Sequence, residues 1–179
     1  MPSSYHGFIS DIISIYMQHK RKTVLDVGCG FGKWGHLFRE YGDVFMGRPD
    51  KADWQTRIIG VEAHEPYIGP HHRHVYDDII IGDIAKIAPG LPNFDFGYAG
   101  DVIEHLDKGA ALSVIKELRR KCGTLVVCIP LGMDWPQGEA FGNIHEEHRS
   151  TWTRFDFDDW PTKKILTNPN GKEIGLFSC

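Results

Sequence analysis

The chain has 179 residues, 41% hydrophobic and 12% aromatic, with a formal net charge of −4. That is about one domain's worth of chain, with apolar residues enough for one core, and no apolar run approaches the ~20 residues a membrane helix needs. Its 20 basic residues against 24 acidic leave no surplus for gripping a nucleic-acid backbone, because phosphate neutralisation supplies most of that affinity. Direct nucleic-acid binding is therefore not expected.

Cys29, Cys122, Cys128 and Cys179 show no CxxC spacing, so neither a zinc ribbon nor a disulfide framework is indicated, and they suit a reducing compartment. The N-terminus lacks the basic, apolar and small-residue succession of a signal peptide. The expectation is one cytoplasmic domain over residues 1–179, with a leading helix within 1–22.

In that leader residues 10–20 are preceded by Tyr5 and Phe8, and Phe8, Ile9, Ile12, Ile13, Ile15 and Tyr16 make a broad helical stripe, which should pack on a sheet. Lys20, Arg21 and Lys22 read as its solvated end, where cations complement the helix dipole. Next, Val24, Leu25 and Val27 form a β-leaning run that ends in Gly28, Gly30 and Gly32, and Trp34, Leu37 and Phe38 then recur at helical spacing. Strand, glycine turn and helix let a ligand approach the backbone, and the free amides of the helix start favour electronegative groups. A nucleotide-like ligand is expected there. A dinucleotide fingerprint would need a third glycine where Lys33 stands and an acid earlier than Glu62, so an NAD-linked oxidoreductase is only an alternative.

Residues 42–57 exceed a common helix-to-strand connection, and Trp54 within them reads as a packing or oligomer contact. The second strand ends at Glu62, whose carboxylate can accept from both hydroxyls of a ribose. Residues 65–76 are broken by Pro66, Gly69 and Pro70, so only a short or irregular helix fits, and His71, His72 and His74 read as a solvated loop and not as a metal site. A third strand runs over 78–84 and a fourth with its exit loop over 91–107. Residues 108–122 are an amphipathic helix with Gly123 as its C-cap, and 124–129 a strand apolar on both faces. Near the end, 164–167 and 174–177 flank Asn168-Pro169-Asn170-Gly171 as a hairpin. Strand and helix alternate as in a doubly wound α/β sheet.

Val24-Leu25-Asp26-Val27-Gly28-Cys29-Gly30-Phe31-Gly32 resembles the first motif of the class I S-adenosylmethionine-dependent methyltransferases, and Asp101-Val102-Ile103-Glu104-His105-Leu106 resembles a later segment of that family. The resemblance implies a Rossmann-like, doubly wound seven-stranded sheet, mostly parallel, with an antiparallel C-terminal strand. It implies S-adenosylmethionine as cofactor, held by Asp26, Gly28, Cys29, Gly30 and Gly32, with Glu62 on the ribose. Asp83 would accept from the adenine amino group and the Ile84 backbone would face the ring. The backbone of Ala99 and Gly100 and the Asp101 side chain would face the methionine end, with Tyr5 and His6 in a lid.

The substrate side should be residues 130–160. No (N/D)-P-P-(Y/F) run ends the fourth strand, which argues against an amino-group DNA methylase. The resemblance leaves a small or medium polar acceptor, a saccharide hydroxyl among the candidates. A hydroxyl needs a general base, and histidine titrates near neutrality; His145 ranks first, His148 second and His105 third. His145 and His148 with Glu146 and Glu147 make an incomplete metal set, so no metal ligand is assigned. Asp156, Asp158 and Asp159 should decorate a short helix. A cofactor-binding subunit without turnover, serving a modifying complex, is the alternative from another class.

Overall fold

The chain alternates helix and strand: α1 (Ile9–Met17), β1 (Thr23–Val27), α2 (Lys33–Arg39), β2 (Arg57–Glu62), α3 (Pro70–Val75), β3 (Asp78–Ile81), α4 (Ile84–Ile87), β4 (Phe94–Gly100), α5 (Lys108–Lys121), β5 (Cys122–Pro130), then β6 (Thr162–Thr167) and β7 (Glu173–Ser178). This computed structural model describes residues 4–18, 22–133 and 135–179, so Lys20 and Arg21 of the basic cluster lie outside the described residues. The strands form one sheet in the order β3-β2-β1-β4-β5-β7-β6. The first five are parallel, and β7 is antiparallel to both β5 and β6.

Burial explains the pattern. The inner strands are apolar on both faces because helices cover both. Val24, Ile58 and Phe96 meet Phe8, Ile12 and Phe38 of the α1/α2 layer, while Leu25, Ile59 and Leu125 meet Ile115 and Leu118 of α5. At the far edge, β6 keeps Lys163 and Lys164 exposed, which discourages pairing with another sheet.

The chain leaves β1 for β2 on one side and later returns to β4 on the other. The strand order therefore reverses at β1/β4, and in open α/β sheets the crevice beyond the carboxyl ends there receives the ligand.

Some local expectations need correction. Gly123 is no C-cap: Cys122 is already in β5, and Gly123 lies in the strand, where a Cβ would meet the Asp95 carbonyl oxygen at 3.1 Å. The histidine-rich segment carries a short helix, α3, as its prolines and glycine allow, but His72 is wholly buried and not solvated. One ring nitrogen of His72 accepts from the Gly69 amide (3.0 Å) and the other donates to the Gly30 carbonyl (2.8 Å). His72 thus props the glycine turn from below. The long connection after α2 opens in a π-helical turn, Glu40–Val44, and Trp54 covers the Arg39 guanidinium 4.1 Å from its ring centroid.

Candidate active site

Gly28, Gly30 and Gly32 all have left-handed backbone, with φ of +65°, +50° and +83°. At Gly28 a Cβ would also lie 2.4 Å from a methyl group of Val102, so only glycine fits. The turn hands its amides to two acceptors. Cys29 N–H donates to the Val61 carbonyl (3.0 Å), and Gly30 N–H donates to Glu62 Oε2 (2.9 Å). Glu62 Oε1 accepts from His64 N–H at 2.8 Å, so this carboxylate fixes both loops and still has lone pairs for a ligand.

Above the turn lies an open cleft of about 840 Å³, its mouth included. Gly28, Cys29, Gly30, Glu62, Asp83, Ile84, Gly100 and Asp101 line it, together with His105 and His145. Asp83 caps α4, with Oδ1 accepting from Ala85 N–H (2.9 Å). Asp101 has left-handed backbone (φ +52°), and its carboxylate accepts from Tyr5 N–H at 2.7 Å. Lys33 Nζ donates to the Ser4 carbonyl and Trp34 Nε1 to the Ser4 hydroxyl. The leader is thereby pinned across this end of the cleft, through the Tyr5 backbone. Burial pushes the Asp101 carboxyl up to about 6, against the opposing pull of Tyr5 N–H and Lys33.

Asp26, Gly32 and His148 are not among the residues lining this cleft. Asp26 faces inward: Tyr76 donates its hydroxyl to the carboxylate (2.6 Å) and accepts from Gly35 N–H (3.1 Å), tying β1 to α2. Burial, partly offset by these bonds, raises the Asp26 pKa to about 7. A folded-state pKa above the unfolded one makes a contribution that is complete below the unfolded value and lost as pH rises through about 7. Asp26→Asn, whose amide oxygen still accepts from Tyr76, should flatten that loss. Denaturant titrations at pH 5 and pH 8 should show the variant gaining on the parent by up to a few kcal/mol, because each tenfold change in proton affinity between the folded and unfolded chain is worth ~1.4 kcal/mol. An unchanged difference between the two pH values would show that Asp26 is ionised throughout.

Glu104, His105 and His148 each place a ligand atom within 4.8 Å of the others. The His105 and His148 rings meet edge to face at 4.8 Å. His105 Nδ1–H donates to the Glu147 carbonyl (3.1 Å) and His148 Nδ1–H to the Trp135 carbonyl (2.7 Å). A carbonyl only accepts, so in each neutral ring the Nε2 lone pair remains available. Burial lowers both imidazole pKa values and favours those neutral rings. Glu104 is wholly buried, and among the described residues neither carboxylate oxygen receives a hydrogen bond from another residue. Burial, with the neighbouring Asp101 carboxylate, pushes its carboxyl well above the usual range.

Such a carboxylate costs free energy unless something completes it. One carboxylate and two imidazoles held by backbone carbonyls are a ligand set for a divalent cation, with the carbonyls fixing ring orientation. The histidines do not assemble as their sequence spacing suggests: His148 joins Glu104 and His105, while His145 lines the cleft with an exposed ring. Glu146, instead of serving beside them, accepts from the Tyr67 hydroxyl at 3.0 Å.

No family model matches the chain. It is 23% identical over 171 residues to a small RNA 2'-O-methyltransferase of Xenopus tropicalis, covering 88% of this chain and 44% of that protein. The chain thus spans less than half the length of that relative. Among solved structures, 1,6-didemethyltoxoflavin-N1-methyltransferase of Burkholderia thailandensis, holding S-adenosylhomocysteine, superposes with a TM-score of 0.66 at 17% identity over 95% of this chain and 75% of its own. The methyltransferase domain of the bacterial CtHen1-CN gives 0.56 at 18% identity over 96% and 97%. The fold is that of the class I S-adenosylmethionine-dependent methyltransferases.

In a methyltransferase of this class the cofactor is S-adenosylmethionine, and the cleft just described can receive it: Gly28 and Gly30 line it without a Cβ, and the Glu62 carboxylate beside them retains lone pairs. Glu104 stands in the sequence motif with no role evident from its neighbours. Its place beside His105 at the strand exit is the only local signal, because its partner His148 lies 43 positions beyond His105, a distance only the fold closes.

Proposed function

We propose that the chain transfers a methyl group from S-adenosylmethionine to a hydroxyl of the terminal ribose of a small RNA, with a divalent cation held by Glu104, His105 and His148. The observation that carries this reading is the buried, unpartnered Glu104 carboxylate with a ring nitrogen of both His105 and His148 within 4.8 Å of it. When bound, S-adenosylmethionine supplies an electrophilic methyl on a sulfonium. A divalent cation in the cluster would act as a Lewis acid on the acceptor oxygens. A terminal ribose with its 2'- and 3'-hydroxyls free is a chelating acceptor, whereas an internal ribose has only one free hydroxyl. The name of the Xenopus relative points to the same acceptor class.

Each chain residue then has a task. Glu62 holds the ribose of the cofactor, and Asp83 with the Ile84 backbone its adenine. Gly100 and Asp101 border the methionine end. His145, exposed in the cleft, takes the proton released as the acceptor oxygen attacks. Alignment of that oxygen with the methyl group is worth ~7–11 kcal/mol in well-oriented reactions. The acidic net charge that argues against nucleic acid concerns the gripping of many phosphates; a site that reads only a chain end needs few.

Calorimetric titration should show binding of S-adenosylmethionine and S-adenosylhomocysteine but not NAD. Glu62→Ala should weaken both by roughly ten- to a hundredfold, the scale of a charge-assisted hydrogen bond at ~1.5–3 kcal/mol. Radiolabelled methyl should pass to a short RNA with a free terminal diol, cease with chelator, return with Mg²⁺ or Mn²⁺, and not reach the same RNA carrying a 3'-phosphate. Equal labelling of both RNAs, or turnover indifferent to chelator, would defeat the reading.

A further inference from the structure

The loop after β5 contains a four-residue turn, Ala140 to Asn143, closed by Asn143 N–H to the Ala140 carbonyl (2.9 Å) and Ala140 N–H to the Asn143 carbonyl (3.4 Å). Its two central residues, Phe141 and Gly142, are both left-handed, with φ of +56° and +70°. That is a turn for asparagine and glycine. A phenylalanine there is strained, because its Cβ crowds the backbone at positive φ. Its ring gains nothing evident in return: it is 67% exposed, and among the described residues no aromatic ring pairs with it.

The turn is nevertheless firmly built. Asn143 is buried, lines the cleft, and accepts from His145 N–H through its side chain (2.9 Å). The phenyl ring is therefore held out two residues from one cleft-lining side chain and four from another, on a turn whose geometry opposes its presence. Strain at an exposed aromatic residue, two positions from a side chain that lines the cleft, is an outlier from which a functional hypothesis is drawn, and the ring offers an uncovered face.

We propose that Phe141 is the stacking platform for the nucleobase of the acceptor's terminal nucleotide, so that the base is gripped while its ribose meets the cation cluster. This rests on the ribose-methylation reading and adds to it the element that distinguishes a nucleotide from a bare sugar. Every base offers a π-face, so the platform accepts any of the four and sets affinity without sequence preference.

The test uses the full chain with Phe141→Ala, Phe141→Gly and Phe141→Trp, and fluorescently labelled single-stranded RNA whose terminal nucleotide is either intact or abasic. Anisotropy gives binding, labelled-methyl transfer gives kcat and KM, and thermal unfolding monitors the fold. Alanine and glycine should raise Kd and KM roughly tenfold, within the range of base–aromatic stacking, with kcat and S-adenosylhomocysteine affinity unchanged. Tryptophan should restore the parent values. The parent on abasic RNA should behave like the alanine variant on intact RNA. Phe141→Gly should unfold no earlier than the parent, since glycine accepts the left-handed turn, which separates lost stacking from lost structure.

Parent and alanine variant binding intact RNA equally, or a parent indifferent to the missing base, would overturn the platform while leaving ribose methylation standing. Phe141-dependent binding without methyl transfer would uphold the platform and overturn the methylation reading. A parent that neither binds nor methylates the RNA overturns both.

Discussion

Glu104→Leu is expected to lower methyl transfer by roughly 10²–10³-fold while the protein unfolds no earlier than the parent, because loss of a Lewis acid is worth several kcal/mol of barrier. The two effects have one origin. Glu104 is buried with no hydrogen bond reaching its carboxylate from another described residue, and leaving such a group unsatisfied costs ~1–3 kcal/mol. Leucine has similar bulk and nothing to satisfy, so the substitution removes that cost together with the cation ligand. His105→Ala should also lose activity, but without the gain in stability, since His105 holds the Glu147 carbonyl. Glu104 does not line the cofactor cleft, so S-adenosylhomocysteine affinity should survive in Glu104→Leu. Titration with Mn²⁺ followed by electron paramagnetic resonance should show a bound ion in the parent and none in the variant. An active, chelator-resistant Glu104→Leu would remove the cation from the reaction and return His105 and His148 to the candidate general bases.

The parts legible in the sequence are those fixed by local physics. A β-branched run ending in glycines at alternate positions can do little but turn, and Gly28 and Gly32 take left-handed values beside Val102 and His72 respectively. Continuous apolar strands such as β5 announced burial on both faces, and an Asn-Gly turn announced the β6–β7 hairpin. Illegible parts are those made by distance. His72 looks like one solvated histidine among three, yet burial beneath the glycine turn and its bond to the Gly30 carbonyl depend on α3 folding back across β1. Asp26 reads as a ligand of the cofactor from its motif, while in the fold its carboxylate is turned to Tyr76, 50 positions away. The strain at Phe141 has no signature in composition at all; only the backbone angle reveals it.

Asp43→Ala should cost the fold ~3–5 kcal/mol, the loss typical when one partner of a buried ion pair is removed. Asp43 is wholly buried at the π-helical turn after α2. Oδ1 accepts from Gln55 N–H (2.8 Å), Thr56 N–H (3.3 Å) and Arg48 Nε (3.0 Å), and Oδ2 from Arg39 (2.6 Å). Arg39 is itself buried, bonded also to the Thr56 and Val75 carbonyls and to Asp77. One carboxylate thus joins the end of α2 to the start of β2 at the sheet edge opposite the cleft, and alanine would leave the Arg39 charge short of a counter-ion in a dry place. Burial alone would push the Asp43 carboxyl up; the bonds from Gln55, Arg39 and Arg48 outweigh it and hold it below the ordinary range. A depressed folded-state pKa gives stability that is present above the unfolded value of ~3.9 and lost as pH falls through the folded one. The gap between parent and Asp43→Asn should therefore be widest at neutral pH and narrow on acidification, the opposite sense to Asp26. Urea titrations at pH 7 and at about pH 2.5, below the unfolded carboxylate value, read both signs. A loss under ~1 kcal/mol for Asp43→Ala, the size of an ordinary surface ion pair, would mean that the backbone carbonyls and Asp77 suffice for Arg39 and that the carboxylate only orders the loop.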